Sequence, residues 1–149
     1  MQLKVEISVV MSVYNSEQWL KESIYSIINQ TFKDFEFIII NDGSTDKSES
    51  IITSFANQDQ RIKFFNQSNS GLTKSLNKAI SISRGKYIAR IDADDNSLPN
   101  RLKKQYEILE SSNNIGLCYT SFFEIDHLGK KIRKRKMINK LDLIKRNLS

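Results

Sequence analysis

Three carboxylates occupy four positions in the stretch "DADD": Asp92, Asp94 and Asp95. They follow an apolar run, Tyr87-Ile88-Ala89-Arg90-Ile91, that reads as a buried strand. Carboxylates this close repel one another unless positive charge or water lies between them. In an extended chain, residues i and i+2 point to one side, so Asp92 and Asp94 would converge and Asp95 would start the turn. Hard oxygen ligands of this kind suit Mg2+ or Mn2+, and Mg2+ is often held by one or two carboxylates plus substrate phosphates. The alternative is an Asp-rich turn that caps the next helix, since D-x-D is a short pattern with many chance matches.

Two other positions carry candidate groups. Asp42, in "NDGSTD", follows a continuous apolar run. It is either an acceptor for a ligand N–H or hydroxyl, or part of a strand-to-helix turn with Asp46 as N-cap. Tyr14 either stacks on a base or packs at the end of a sheet. The only histidine, His127, falls in a predicted turn and reads as a surface residue, which argues against a Ser-His-Asp or Cys-His hydrolase. Cys118 is the only cysteine, so it cannot form an internal disulfide and reads as a small apolar strand residue. There is no G-x-x-x-x-G-K-[ST] and no G-x-G-x-x-G after the first strand, so neither a P-loop nor a dinucleotide site is expected.

The elements that must position these groups alternate. Residues 5–13, 35–41, 61–66, 86–91 and 115–125 read as strands from their β-branched and aromatic content. Between them, Leu20, Ile24, Ile27 and Ile28 recur at helical spacing within 17–29, as do Leu72, Leu76, Ala79 and Ile80. Asp46-Lys47-Ser48-Glu49 resembles a capping box opening a helix to about Asn57. Ser97 is placed to cap a further helix with Pro99 in its first turn and Leu102, Tyr106 and Leu109 on its apolar face. Asp126 to Gly129 reads as a turn, and 140–147 as a short terminal helix. Four strand–helix alternations imply a mostly parallel sheet flanked by helices on both faces, with ligands at the carboxyl ends of the strands. Tyr14-Asn15, Asp42-Gly43-Ser44, Asn69-Ser70-Gly71 and the Asp cluster all fall at those ends.

At 149 residues the chain is long enough for one domain with a real core. No apolar run approaches the ~20 residues of a membrane span, and the first residues lack a signal-peptide core, so a cytoplasmic location is expected. The net charge of +6 is unevenly spread: residues 130–149 carry +8, leaving −2 on residues 1–129. A nucleic-acid role would rest on that tail alone, and none is expected.

Five segments, taken in order, resemble the nucleotide-sugar-binding half of family 2 glycosyltransferases, which have the GT-A fold. They are "ISVVMSVYN", "SIINQTFKDFEFIIINDGSTD", "NSGLTKSLNKAI", "GKYIARIDADD" and "LPNRLKKQ". The resemblance covers about Ile7 to Gly129. It implies a Rossmann-like α/β GT-A domain over 1–129, with 130–149 a basic segment leading into an acceptor-binding half that this chain lacks. Tyr14 then corresponds to the aromatic near the nucleobase, and Asp42 to the acid that binds uracil or ribose. Asp92 and Asp94 correspond to the D-x-D that holds the nucleotide and, through Asp94, a divalent metal, Mn2+ or Mg2+, with Asp95 sharing in this. Ser12-Val13 replace the Pro-Thr often found there, and Ser12 keeps a small hydroxyl residue beside the donor.

The resemblance further implies a UDP-sugar donor and inverting transfer to a saccharide or lipid-linked acceptor. The general base, usually an Asp, is expected beyond Ser149, so the chain by itself would bind donor but transfer poorly or not at all. A truncated non-catalytic nucleotide-binding or interaction module is the alternative. A nucleotidyltransferase would need a Gly- and Arg-rich N-terminal loop that is absent. The stretch from Lys130 to Lys136 is either a solvated hairpin or a contact with the anionic inner face of the membrane, where each basic residue adds about 1 kcal/mol.

Overall fold

The structure is a computed structural model and describes residues 5–135. It divides into two compact units, one ending at Lys104 and the other beginning at Gln105. Among the described residues, no helix is long and apolar enough to cross a membrane.

The first unit is built on four parallel strands: β1 (Ile7–Val13), β2 (Phe35–Asp42), β3 (Ile62–Gln67) and β4 (Tyr87–Arg90). Their order is β3-β2-β1-β4. Helices α1 (Leu20–Ile28), α2 (Ser48–Ala56) and α3 (Leu72–Ser81) connect them, and α4 (Arg101–Glu110) follows. The chain steps from β1 to β2 to β3 in one direction, then crosses back to β4 on the far side of β1. Right-handed crossovers therefore put α1 and α2 on one face and α3 on the other. Accordingly α1 touches α2, and α3 packs across β1 and β2.

The two central strands explain the apolar runs. Every residue of β2 is buried, and all of β1 except Ser12. A strand covered on both faces has no side to leave polar, so its sequence loses alternation. Phe37, Ile38, Ile39, Ile40, Val9 and Met11 form this dry centre. Each large side chain fully buried there stabilises the fold by about 1.5–3 kcal/mol. On the α3 side, Val10, Ile38, Ile40 and Ala79 form one cluster with Leu76 packed against it.

Several sequence expectations are corrected. β4 is an edge strand and not a buried one: Ile88 is 44% exposed and Arg90 is exposed, because β1 is its only partner among the described residues. On α3, Leu72 and Ile80 are exposed, while Ser75 and Ala79 face the sheet. Small residues at i and i+4 let that helix approach the strands, which rotates its buried face away from Leu72 and Ile80. Ser97 does not cap α4. The helix starts at Arg101, and the buried Gln30 supplies the cap, its Oε1 accepting from the Leu102 N–H at 3.0 Å. Gln30 also donates to the carbonyls of Leu98 and Ser26, so one amide joins the end of α1 to the start of α4.

In the second unit the fifth strand is shorter than expected. β5 covers Phe122–Ile125 and pairs antiparallel with β6 (Lys131–Arg135) in a separate two-stranded sheet. The predicted turn decides this. Asp126 accepts from the N–H groups of Leu128 and Lys130, and Gly129 takes φ +77°, so a local partner closes at little entropic cost. Exposed His127 sits in this turn, and Cys118 precedes β5 in irregular chain. The predicted helix at 140–147 lies outside the described residues.

At the amino-terminal end of the parallel sheet, Glu36 and Ser8 lie opposite each other in register. Glu36 accepts from Ser8 Oγ (2.7 Å) and from the backbone and guanidinium of Arg84. Burial pushes its carboxyl up, but these bonds outweigh that and hold it below the usual range. The lock requires Gly85, where a Cβ would lie 2.4 Å from the Ser8 amide nitrogen. Because the obstacle is backbone, Gly85→Ala should destabilise the first unit by about 1–3 kcal/mol. A urea midpoint equal to that of the unsubstituted chain would refute the lock.

Candidate functional site

The sheet topology reverses between β1 and β4, and in open α/β sheets the crevice at such a switch point takes the ligand. Tyr14 follows β1, and Asp92 to Asp95 follow β4. Asp42 ends the neighbouring β2. Hydrogen bonds between the connecting loops fix this rim.

The β1–α1 and β2–α2 loops are stitched together. The Asn15 N–H donates to Ser44 Oγ (3.0 Å), and Asn15 Oδ1 accepts from the Thr45 N–H (2.8 Å). Glu17 and Asp46 exchange bonds: Asp46 Oδ2 accepts from the Glu17 N–H, and Glu17 Oε2 accepts from the Lys47 N–H. Asp46 Oδ1 also accepts from the Ser48 N–H at the start of α2. The predicted capping box is thus half right, because Glu49 turns instead to Asn66. Asn15 has φ +47°, a left-handed conformation that its short amide tolerates. Tyr14, one residue earlier, is 52% exposed. Ser12 is partly buried near the end of β1, with its backbone in register with Ile40.

Asp42 is buried, and its carboxylate is largely committed within the protein. Oδ1 accepts from Gln67 Nε2 (2.7 Å) and from the Ser70 N–H (2.9 Å), with the Ser70 hydroxyl at 3.2 Å. Oδ2 accepts from the Gly71 N–H (2.8 Å), leaving one acceptor position on that oxygen. Burial pushes the carboxyl up. The bonds from Gln67, Ser70, Gly71 and Ser75 outweigh it and lower the pKa to about 2. Asp42 therefore closes the amino end of α3, where partial positive charge favours an anion. Gly43 makes the same junction close: it has φ +75°, and a Cβ there would meet the Asn69 amide nitrogen at 2.7 Å.

The Asp cluster is a turn and not an extended segment. The Asp95 N–H donates to the Asp92 carbonyl at 3.1 Å, Ala93 is buried and Asp94 is exposed. The expected convergence of Asp92 and Asp94 along one strand face is lost. Helix α1 holds the turn from beneath: Ser23 Oγ donates to the Asp92 carbonyl, and Ser26 Oγ accepts from the Ser97 N–H. Asp92 forms a two-point pair with Arg90, Nε to Oδ1 at 2.9 Å and an NH2 to Oδ2 at 3.0 Å. Asp94 engages no protein group among the described residues. Partial burial raises the Asp95 carboxyl above its ordinary range, and Asp92 and Asp94 add to this against Arg101 and Arg90.

Among the described residues, no three His, Cys, Asp or Glu side chains are grouped to hold a metal ion. The donors nevertheless fit a hard divalent cation of the kind that keeps most of its shell as water and phosphate oxygen. Asp94 is unengaged, and Asp95 is a carboxylate whose charge is disfavoured by its neighbours, a situation that a cation relieves. Two surface depressions, one along α2 and one beside Tyr25 and Phe55, include none of Tyr14, Asp42, Asp92 or Asp94.

Sequence reasoning placed Asn15 at the rim without a role and missed Gln30, Gln67 and Arg90. Gln67 is invisible without the β2–β3 register, which sets it opposite Asp42. Arg90 was accessible, since the i, i+2 alternation applied to Asp92 and Asp94 also pairs Arg90 with Asp92.

This doubly wound sheet matches the GT-A fold of solved glycosyltransferases. TarS of Staphylococcus aureus, solved with UDP-GlcNAc, superposes with a TM-score of 0.68 at 26% identity, over 80% of this chain and 39% of that one. A mannosyltransferase of Pyrobaculum calidifontis, solved with GDP-Man and Mn2+, shares the fold with a TM-score of 0.71 at 19% identity, over 80% and 36%. The model of the family described as glycosyl transferase family 2 matches residues 8–148, and the chain belongs to that family. An uncharacterised glycosyltransferase of Methanocaldococcus jannaschii is 47% identical over 87% of this chain and 46% of its own length. The putative glycosyltransferase EpsE of Bacillus subtilis is 40% identical over 83% and 45%. The chain thus spans less than half the length of these relatives.

The Asp42 carboxyl titrates lower in the folded chain (about 2) than at its ordinary value of 3.8. Its contribution is therefore complete above about pH 4 and is lost as the pH falls toward about 2; at neutral pH it amounts to roughly 2 kcal/mol. Asp42→Asn should lower stability at pH 7 by about that amount and flatten the loss between pH 4 and 2.5 in urea melts. Parallel acid profiles for the two proteins would contradict this role.

Proposed function

We propose that this chain is the donor-binding part of a sugar transferase, taking a nucleoside-diphosphate sugar, most simply a UDP-sugar, at the rim beside β1, β2 and β4. The observation that supports it best is the Asp turn at the switch point, held from beneath by α1, with Asp94 unengaged and Tyr14 on the adjacent strand end. Membership of family 2 and the UDP-GlcNAc bound by TarS support the same donor class.

Each side chain has a distinct task in this reading. The exposed ring of Tyr14 stacks on the nucleobase. Asp42 holds the β3–α3 loop in place and keeps one acceptor position on Oδ2 for a base or ribose donor. Ser12 lines the end of β1 beside it. Asp94, with Asp95 and Asp92, would hold the divalent cation, Mn2+ or Mg2+, that accompanies the diphosphate, with water and phosphate oxygens completing its shell. A cation bound there would supply charge neutralisation for the leaving nucleoside diphosphate.

The transfer itself is proposed as a single displacement with inversion. An acceptor hydroxyl on a saccharide or lipid-linked molecule forms the new bond to the sugar carbon. The bond to the diphosphate breaks, and a carboxylate base takes the hydroxyl proton. No residue of 1–149 is assigned as that base, which this reading places beyond Ser149. The donor domain is proposed as 1–129, with 130–149 leading onward from it and the protein working in the cytoplasm.

Calorimetric titration of UDP into the chain with Mn2+ should give binding that EDTA abolishes and that Asp94→Asn weakens about tenfold or more, ~1.4 kcal/mol. Equal affinity with and without metal, or no effect of the substitution, would remove the donor site from this turn.

The basic hairpin suits an anionic membrane face, where lipid-linked acceptors would be met. All of β6 is exposed, and Ile132 is 67% exposed among Lys131, Arg133, Lys134 and Arg135, with Phe122 half exposed on β5. Glu124 neutralises Arg135 through a 2.6 Å ion pair. Lys136 lies outside the described residues. Each remaining cation would add about 1 kcal/mol at such a surface. The chain should co-sediment with phosphatidylserine vesicles and not with neutral ones, and be released by high salt; equal recovery with both would eliminate the membrane contact.

A further inference from the structure

Two arginines flank the Asp turn, and they are held very differently. Arg101 is anchored: one NH group donates to Ser97 Oγ (2.9 Å) and another to the Arg90 carbonyl (2.7 Å). Among the described residues, the Arg90 side chain is bonded to Asp92 alone, through the two-point pair. Both partners are about half exposed, 54% and 44%. Exposed ion pairs contribute little to folding, so this one exchanges easily. The backbone of Arg90 is fixed by β1 and by Arg101, while its guanidinium is free to change partner.

That placement has a consequence for the donor site and rests on the donor reading above. Arg90 occupies both oxygens of Asp92, the carboxylate that begins the D-x-D. A cation that recruits Asp92 competes with the guanidinium for its charge. A displaced guanidinium is a two-point match for phosphate oxygens, which a diphosphate brings to the same place. We infer that Arg90 is a positioning residue for the donor diphosphate. In the ligand-free chain it neutralises Asp92; when the diphosphate arrives with its divalent cation, Arg90 passes from the carboxylate to a phosphate oxygen. One charge-assisted pair replaces another, so neither Asp92 nor the diphosphate stands uncompensated. The same device sets an order, because metal alone must compete with Arg90, whereas metal with diphosphate gives Arg90 a new partner.

The test separates metal from nucleotide. Mn2+ binding without nucleotide is read from the electron paramagnetic resonance signal of free Mn2+. UDP binding at saturating Mn2+ is read by calorimetry. Both are measured on the unsubstituted chain, Arg90→Gln and Arg90→Lys, with thermal midpoints alongside. Arg90→Gln should bind Mn2+ alone about threefold tighter or more, yet bind UDP about fivefold weaker or more. Arg90→Lys, which keeps the charge without the fork, should fall between the two on UDP. A merely structural role would weaken both ligands and lower the midpoint, and that result overturns the inference. So does a pair of variants that match the unsubstituted chain on both ligands. If the unsubstituted chain itself binds no UDP with Mn2+, the donor reading fails, and this inference with it.

Discussion

Pairing of β1 with β2 in the dry centre of the sheet is the constraint from which the rest follows. Backbone N–H and C=O groups buried there must find partners, and the parallel ladder from Ile7–Phe35 to Val13–Asn41 supplies them. Because the strands are parallel and in step, they end together. Polar side chains are confined to the ends of that ladder and the loops beyond it. The amino-terminal rim receives Ser8, Glu36 and Arg84, and the carboxyl-terminal rim receives Asn15, Asp42 and the Asp turn.

The two rims use similar chemistry to different ends. At the amino-terminal rim, Glu36 is enclosed by Ser8 and Arg84, and Gly85 leaves no room for anything else. The Ser8 hydroxyl and the Glu36 carboxylate there are spent on the fold. At the carboxyl-terminal rim, Asp42 is spent almost completely on α3 and its loop, but the Asp turn is not. Asp94 has no protein partner among the described residues, and Asp92 has an exchangeable one. Charge kept partly uncompensated at the end of a rigid strand costs stability, and it is arranged where a cationic ligand can restore the balance.

Rigidity on one side of this rim supports adaptability on the other. The β1–α1 and β2–α2 loops are joined by reciprocal bonds through Asn15, Glu17 and Asp46. The Asp turn is fixed through its backbone by Ser23, while its carboxylates remain available. A preformed backbone with unspent side chains is what tight recognition of a charged ligand needs.

The sequence alone determined the alternation of strands and helices, the doubly wound class, the family, and the position of Tyr14, Asp42 and the Asp cluster at strand ends. These depend on local periodicity and on turn formers beside apolar runs, which short-range sterics enforce. The tertiary structure alone decided which strand is at the edge, which face of α3 is buried and where the hairpin strands pair. It also decided that Asp42 serves α3. Those outcomes depend on strand order and register, which set distant residues such as Asp42 and Gln67 side by side, and no local pattern encodes such a pairing. Gln30 is the plainest example: its position after α1 looks like an ordinary helix end, and only the folded chain brings Leu102 to its amide.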